Sequence, residues 1–316
     1  MVHVPTLLAQ GDFVIMYTFF LLAIKIIPWL PDWFIEIIAR IAGLVAWFIA
    51  TKAREQATQN MLHVLGPQVL DTPMGRRKLR TTVQAMFCNN VLNYLTTFSL
   101  AARKPARIMR ELHIEGREHF DAAFARGKGV IISSAHIGPF NYLFQWVSLS
   151  GYDLTIPVEQ LKDPRMLDLI TSLRSKNGTN ILPLQGSAGM RTLFQKLRAN
   201  KAILLTADRA IEGQSSEMSF FGATARLPVG VAQLAKRTGA TVVGACGWRT
   251  PEGEIYGRFF PISLALSEEQ AMNTDEIQQA IVTLLEQNIA AHPDQWMAFA
   301  PIWTERPTRT MIMTNP

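Results

Sequence analysis

The sequence predicts an α/β protein: a mixed, largely parallel sheet flanked by helices, preceded by an N-terminal apolar helical membrane anchor. Three observations carry that prediction. From residue 129 onward, short β-rich runs alternate with segments of helical periodicity, the order that builds a parallel sheet with helices on its faces. The strands are apolar while the polar groups gather just after them, where open α/β sheets place their ligands. Residues 13–50, finally, carry two apolar segments parted by Pro28 and Pro31 around Trp29. The boundaries expected are an anchor over residues 1–50 and one catalytic domain over 51–316.

The N-terminal segments come first. Phe13–Ile24 is an uncharged run of twelve residues, short of the roughly 20 that span a bilayer. Residues 1–12 lack the basic start and small-residue cleavage site of a signal peptide. Trp33–Ala50 carries Glu36 and Arg40 at a spacing that allows pairing on one helix face. Two short helices joined at the prolines predict a monotopic hairpin with Trp29, Trp33 and Trp47 at the membrane interface. The alternative is a pair of helices that cap the core of a soluble protein.

After a helical stretch over roughly 52–100, Gly129–Ser134 reads as a buried strand that ends at Ala135-His136. Pro139 suits the first turn of a helix running to Leu149. Leu154–Val158 is the next strand. Asp163-Pro164 opens a helix with Leu169 and Leu173 on one face, closed by Gly178. Asn180–Leu184 is a strand, and Met190, Leu193, Phe194 and Leu197 mark the helix that follows. Ala202–Thr206 is a strand, Pro228–Thr238 a helix ended by Gly239, and Thr241–Cys246 another strand. Ile255–Phe260 reads as an edge strand. Asn273 and Glu276 form a capping box for a helix bearing Ile277, Ile281, Leu284 and Leu285.

Composition narrows the function. The 316 residues are 48% hydrophobic and 18% charged, with 31 basic against 25 acidic side chains and a net charge of +6. The basic residues are scattered, and aromatics do not interleave with them as a nucleic-acid groove requires. A basic surface meeting anionic headgroups or phosphorylated substrates fits better. Cys88 and Cys246 sit in apolar or small-residue settings and read as reduced core residues.

Of six histidines, no two stand at i, i+3 or i, i+4, and neither cysteine is near one. A zinc site is therefore not expected. His3, His63, His113, His119 and His292 fall at termini, on an amphipathic helix or beside charged turns. His136 differs: it lies between a buried strand and a helix start, where the helix N-terminus keeps an imidazole neutral and fit to act as a base. Spacing alone leaves it open whether His136 is catalytic or structural. Asp208 and Arg209 end a strand, as a site pair or as an internal ion pair holding the loop. Glu159 ends another.

GKGVIISSAHIGPFN (residues 127–141) resembles the catalytic motif of the bacterial lipid A late acyltransferase family, which includes phosphatidylinositol mannoside acyltransferases. That pattern is a GxGVI-type strand and a His separated by four residues from an Asp or Glu. Other blocks match in order: Asn60-Met61-Leu62 with Leu65-Gly66, LHIEGREHFDAAFARGKG, and LLTADRAIEGQSSEMSFFGATARLPVGVAQLAKRTGATVV. Pro293-Asp294-Gln295-Trp296 resembles the closing P-(E/D)-Q-W. The ADR and E-x-x-FFG wording leans toward the mannoside branch.

The resemblance implies a glycerol-phosphate-acyltransferase-like fold and an O-acyltransferase. A fatty acyl chain would pass from acyl carrier protein or coenzyme A to a hydroxyl of a glycolipid or lysophospholipid-type acceptor. His136 would be the general base, with backbone N–H groups around Ile137–Asn141 stabilising the oxyanion. It implies no bound cofactor and no metal. Expected partners are membrane lipids and the thioester donor, with no nucleic acid, at the cytoplasmic face of a bacterial inner membrane. One position departs from the pattern: Asn141 stands where the family has a carboxylate. Glu217, just before Ser219-Phe220-Phe221-Gly222, is the first candidate to supply that charge. A slower enzyme with a less basic His136, or a non-catalytic relative that binds acyl lipids, are the other readings. Arg174 and Arg165, on the helix that resembles the family's Arg-bearing segment, and Asp208 and Arg209 are expected at the substrate. A thioesterase using the same His with water is a further alternative, although the chain has no G-x-S-x-G.

Overall fold

The computed structural model describes residues 20–158, 164–184, 186–209, 214–262 and 273–305. Seven strands form one sheet in the order β1-β9-β8-β2-β5-β3-β4. They are β1 (Leu112–Glu115), β2 (Val130–Ser134), β3 (Leu154–Val158), β4 (Asn180–Pro183), β5 (Ala202–Thr206), β8 (Thr241–Arg249) and β9 (Ile255–Pro261). Every pairing is parallel except β8 with β9. The mixed, largely parallel sheet is thus as expected. Ile255–Phe260 is not the edge strand the sequence suggested: β1 pairs along its outer side. The Leu-His-Ile-Glu run of β1 alternates apolar and polar residues, but over only four positions, too short to stand out as a strand. A separate hairpin, β6 (Ser215–Phe220) with β7 (Ala223–Pro228), was also not legible. It turns at Phe221-Gly222, both at positive φ.

β2 is buried at every position because helices cover both faces of the sheet. On one face, α6 (Arg117–Ala125) and α7 (Phe140–Leu149) pack Phe120, Tyr142, Leu143 and Trp146 against Val130, Ile132, Leu204 and Phe259. The other face meets α9 (Gly186–Arg198), α10 (Gly230–Thr238) and α11 (Thr274–Ala291), whose Leu193, Leu197, Leu234, Ile281 and Leu285 bury Ile131, Ile203 and Val242. The Asn273–Glu276 capping box forms as the sequence predicts. α10 begins at Gly230, since Pro228 closes β7.

α1 (Phe20–Trp29) tightens into a 3-10 turn over Ile27–Trp29, and α2 (Asp32–Ile49) starts one residue after Pro31. Both lie along the long helix α4 (Pro73–Ala102), sharing a cluster of Ala23, Ile27, Ile35, Ala39, Leu95 and Phe98. Gly43 permits that approach: a Cβ there would stand 2.5 Å from Cys88 Cα. Glu36 is directed to Arg249 (3.9 Å) rather than along its own helix to Arg40. The outward face of α1 and α2 exposes Trp29 (88%), Trp33 (63%), Ile41 (60%) and Phe48 (63%). Trp47 is not on that face. It is buried, with Arg54 and Arg80 over its ring, because its side chain points back at α4. No single described helix is long and apolar enough to cross a membrane; α2 and α3 (Thr51–Leu65) reach that length only as a pair bent by 97°.

Candidate active site

β2 and β5 are neighbours in register, with Ser134 opposite Thr206. Two residues past that pair, the chains carry His136 and Asp208 side by side. Parallel pairing thus forces onto one sheet edge two groups that are 72 positions apart. His136 Nδ1 lies 2.9 Å from Asp208 Oδ1, and the His136 backbone N–H donates to Asp208 Oδ2 at 3.2 Å. The Asp208 side chain is 2% exposed, that of His136 22%. An acceptor-only carboxylate at Nδ1 fixes the tautomer with the proton on Nδ1, so Nε2 is the basic atom.

Opposed effects set the charge on this pair. Burial holds the His136 ring below its ordinary range, while the Asp208 carboxylate pulls it upward and Arg209 pushes it down. Burial alone would raise the Asp208 pKa, yet the His136 ring and its hydrogen bond hold it well below the usual carboxylate range, with help from Arg209 and Trp296. The ring is therefore neutral and its partner ionised near pH 7, the state a general base requires.

The carboxylate at His136 is Asp208, not Glu217. Glu217 lies on β6, in the separate hairpin, with its side chain exposed. Next to it, Phe220 is wholly buried, stacked on Trp303 at 5.3 Å. Asn141 is also turned away from the ring: its Nδ2 donates to Thr97 Oγ1 on α4 at 2.9 Å. It is buried, and its Oδ1 has no partner among the described residues. The Asn141 position thus joins α7 to α4, and a neutral side chain there leaves the His136–Asp208 pair intact.

The loop carrying His136 is clamped on two sides. Asn93 Nδ2 donates to the Gly138 carbonyl at 3.0 Å. The Gly138 N–H donates to the Gln295 carbonyl at 3.0 Å, and the Phe140 N–H to the Gly138 carbonyl at 3.0 Å. Those two amides are committed, so the broad stretch Ile137–Asn141 does not act as an oxyanion hole as a whole. Gly138, at φ +57, also lets β8 come close: a Cβ would meet the Gly247 carbonyl at 2.0 Å. Gly138 and Asn93 lie outside the residues the sequence singles out, although a glycine between His136 and Pro139 is a visible sign of close approach.

Arg209 is 8% exposed next to the pair, and its Nε has no partner among the described residues. Arg174 ends α8 (Pro164–Ser175), near Tyr94, with its Nε also buried and unpartnered among them. Arg165 is exposed in the first turn of the same helix. Glu159 lies outside the described residues. Cys88 and Cys246 are both free, and burial pushes the Cys246 thiol up to about 12. Among the described residues, no three His, Cys, Asp or Glu side chains are grouped to hold a metal ion.

A buried strand ending in an imidazole held by an ionised carboxylate, with the Arg209 guanidinium beside it, can accept and return a proton. The comparisons with known proteins give the family. The chain is 30% identical over 258 residues to a phosphatidylinositol mannoside acyltransferase of Mycobacterium tuberculosis, covering 79% of this chain and 77% of that protein. It is 26% identical over 252 residues to the protein of that name in Mycolicibacterium smegmatis, covering 79% of each. The family model of the bacterial lipid A biosynthesis acyltransferases matches residues 5–305. The chain belongs to that acyltransferase family.

Proposed function

We propose that this acyltransferase moves a fatty acyl chain from an acyl-CoA or acyl-ACP thioester to a hydroxyl of a glycolipid or lysophospholipid-type acceptor. The observation that carries this reading is the His136–Asp208 pair, in which Asp208 holds Nδ1 and leaves Nε2 as the basic atom of a ring 22% exposed. His136 Nε2 takes the hydroxyl proton as the acceptor oxygen attacks the thioester carbonyl carbon. Asp208 steadies the imidazolium that forms. Collapse of the tetrahedral intermediate breaks the C–S bond, and the proton passes from His136 to the departing thiolate. Arg209 and Arg174 offer guanidinium groups to phosphate on donor or acceptor. The relatives' name, phosphatidylinositol mannoside acyltransferase, supports a glycosylated lipid as acceptor.

Purified full-length protein incubated with labelled palmitoyl-CoA and phosphatidylinositol mannoside is expected to yield acylated glycolipid only when the acceptor is present. Free fatty acid irrespective of acceptor would make it a thioesterase. Retention of label without turnover would make it an acyl-lipid-binding relative.

The same reading places the protein on a membrane surface, at the cytoplasmic face of a bacterial inner membrane. Its support is the exposed apolar face of α1 and α2, far more apolar than a soluble surface usually shows. Beside it, a cavity of about 420 Å³ is bordered by Pro28, Leu30, Asp32, Arg103, Lys104, Arg107 and Arg110. Asp32 is paired with Arg103 and Arg107, and with Lys104 and Arg110 the rim is cationic in balance, suited to anionic headgroups. Burying one large apolar side chain contributes roughly 1.5–3 kcal/mol. The double variant W33D/I41D is therefore expected to weaken cosedimentation with phosphatidylglycerol-containing vesicles at least ~100-fold. Unchanged sedimentation would remove this face from the membrane.

A further inference from the structure

The P-D-Q-W run near the C-terminal end of the described chain has no part in the proton transfer described above, yet it lies directly on the pair that carries it. Pro293–Gln295 makes a single 3-10 turn, after which Trp296 is extended and wholly buried. Its indole Nε1–H donates to Asp208 Oδ2 at 2.9 Å. The backbone on either side reaches the catalytic loop: the Gln295 carbonyl accepts from the Gly138 N–H at 3.0 Å, and the Met297 N–H donates to the His136 carbonyl at 2.8 Å. The Gln295 side chain holds Arg249 at the end of β8 in both directions, accepting from its N–H at 2.9 Å and donating to its carbonyl at 2.8 Å.

A buried tryptophan is ordinarily core filling, and this ring does pack edge-on against Phe220 and Trp303. Filling alone, however, needs no particular partner for the N–H. Here the partner is the one carboxylate that orients His136. With His136 Nδ1 on Oδ1 and Trp296 on Oδ2, the carboxylate plane is held at both oxygens. Lacking the indole, only the longer His136 backbone contact would steady Oδ2.

We propose that Trp296 is a positioning residue for acyl transfer: its indole N–H locks the Asp208 carboxylate in the rotamer that orients His136, while residues 295–297 clamp the His136 loop. This rests on the reading of His136 as base. Among the described residues, the charged or titratable groups facing the pair are Arg209 and the two members themselves. A carboxylate with one donor fewer attracts the imidazole proton more strongly.

Trp296→Phe keeps the ring's bulk and removes the N–H. In the full-length enzyme, kcat is expected to fall about tenfold, the worth of one hydrogen bond to a charged group, with the KM for palmitoyl-CoA little changed. The rising limb of its pH profile should move to higher pH, and W296F/D208N should be no slower than D208N alone. An unmoved limb, or losses that multiply, would overturn the proposal. Should W296F fail to fold, D208N supplies a second measure: one of the indole N–H resonances from the seven tryptophans should shift in its ¹H–¹⁵N spectrum. If none moves, Trp296 does not act on Asp208. Full activity in H136Q, by contrast, would sink the base reading and leave the indole shift in place.

Discussion

Replacing His136 with glutamine is expected to abolish acyl transfer for practical purposes, lowering kcat by about three orders of magnitude, within the range of general-base catalysis. Glutamine approximates the ring's reach and polarity but cannot accept and return a proton. The KM for the thioester donor should change little, because in the proposed mechanism the ring acts on the acceptor hydroxyl and not on the acyl chain. The wild-type profile gives a second check. Burial holds the ring below the ordinary 6.5, outweighing the pull of Asp208. The base form is lost as pH falls through that lowered value, so kcat should climb to a plateau from a midpoint below 6.5 and stay level at neutrality. A midpoint well above 6.5, or H136Q retaining a tenth of the activity, would mean that another group takes the proton.

Much of this site was legible in the sequence, and the missing parts share one cause. Alternation of apolar runs located β2, β3, β4, β5 and β8, and His136 stood out by its place between a strand and a helix start. Asp208 and Arg209 were visible as a strand end. What a linear pattern lacks is strand order. Only the pairing of β2 with β5 shows that Asp208 is the neighbour of His136, so the missing charge at Asn141 led to a nearby-looking motif residue, Glu217. The N-terminal helices illustrate a related limit. Their apolar character was plain on several faces, but which face meets α4 is decided by Gly43 and its contact with Cys88. That contact turns Trp47 inward and leaves Trp29 and Trp33 outside.

Asp208→Asn is the substitution that tests this assignment most sharply, with an expected loss of about 10³ in kcat, approaching but not exceeding that of H136Q, because an amide in place of the orienting carboxylate of such a triad leaves the base in the wrong tautomer. Two effects combine. The amide can present its NH₂ to the ring and favour the tautomer with the proton on Nε2, where no base remains. It also withdraws the charge that steadies the imidazolium. Because Asp208 is what raises the His136 pKa, the residual activity of D208N should show its rising limb at still lower pH, opposite in direction to W296F. Adding a carboxylate at the family's position should not restore the rate: in D208N/N141D the new group would face Thr97 on α4, where Asn141 now donates. Recovery in that double variant, or a D208N enzyme within tenfold of wild type, would show that the orienting charge comes from elsewhere. Glu217→Gln is the companion control, and an exposed side chain on the β6 hairpin should leave kcat within a factor of about two.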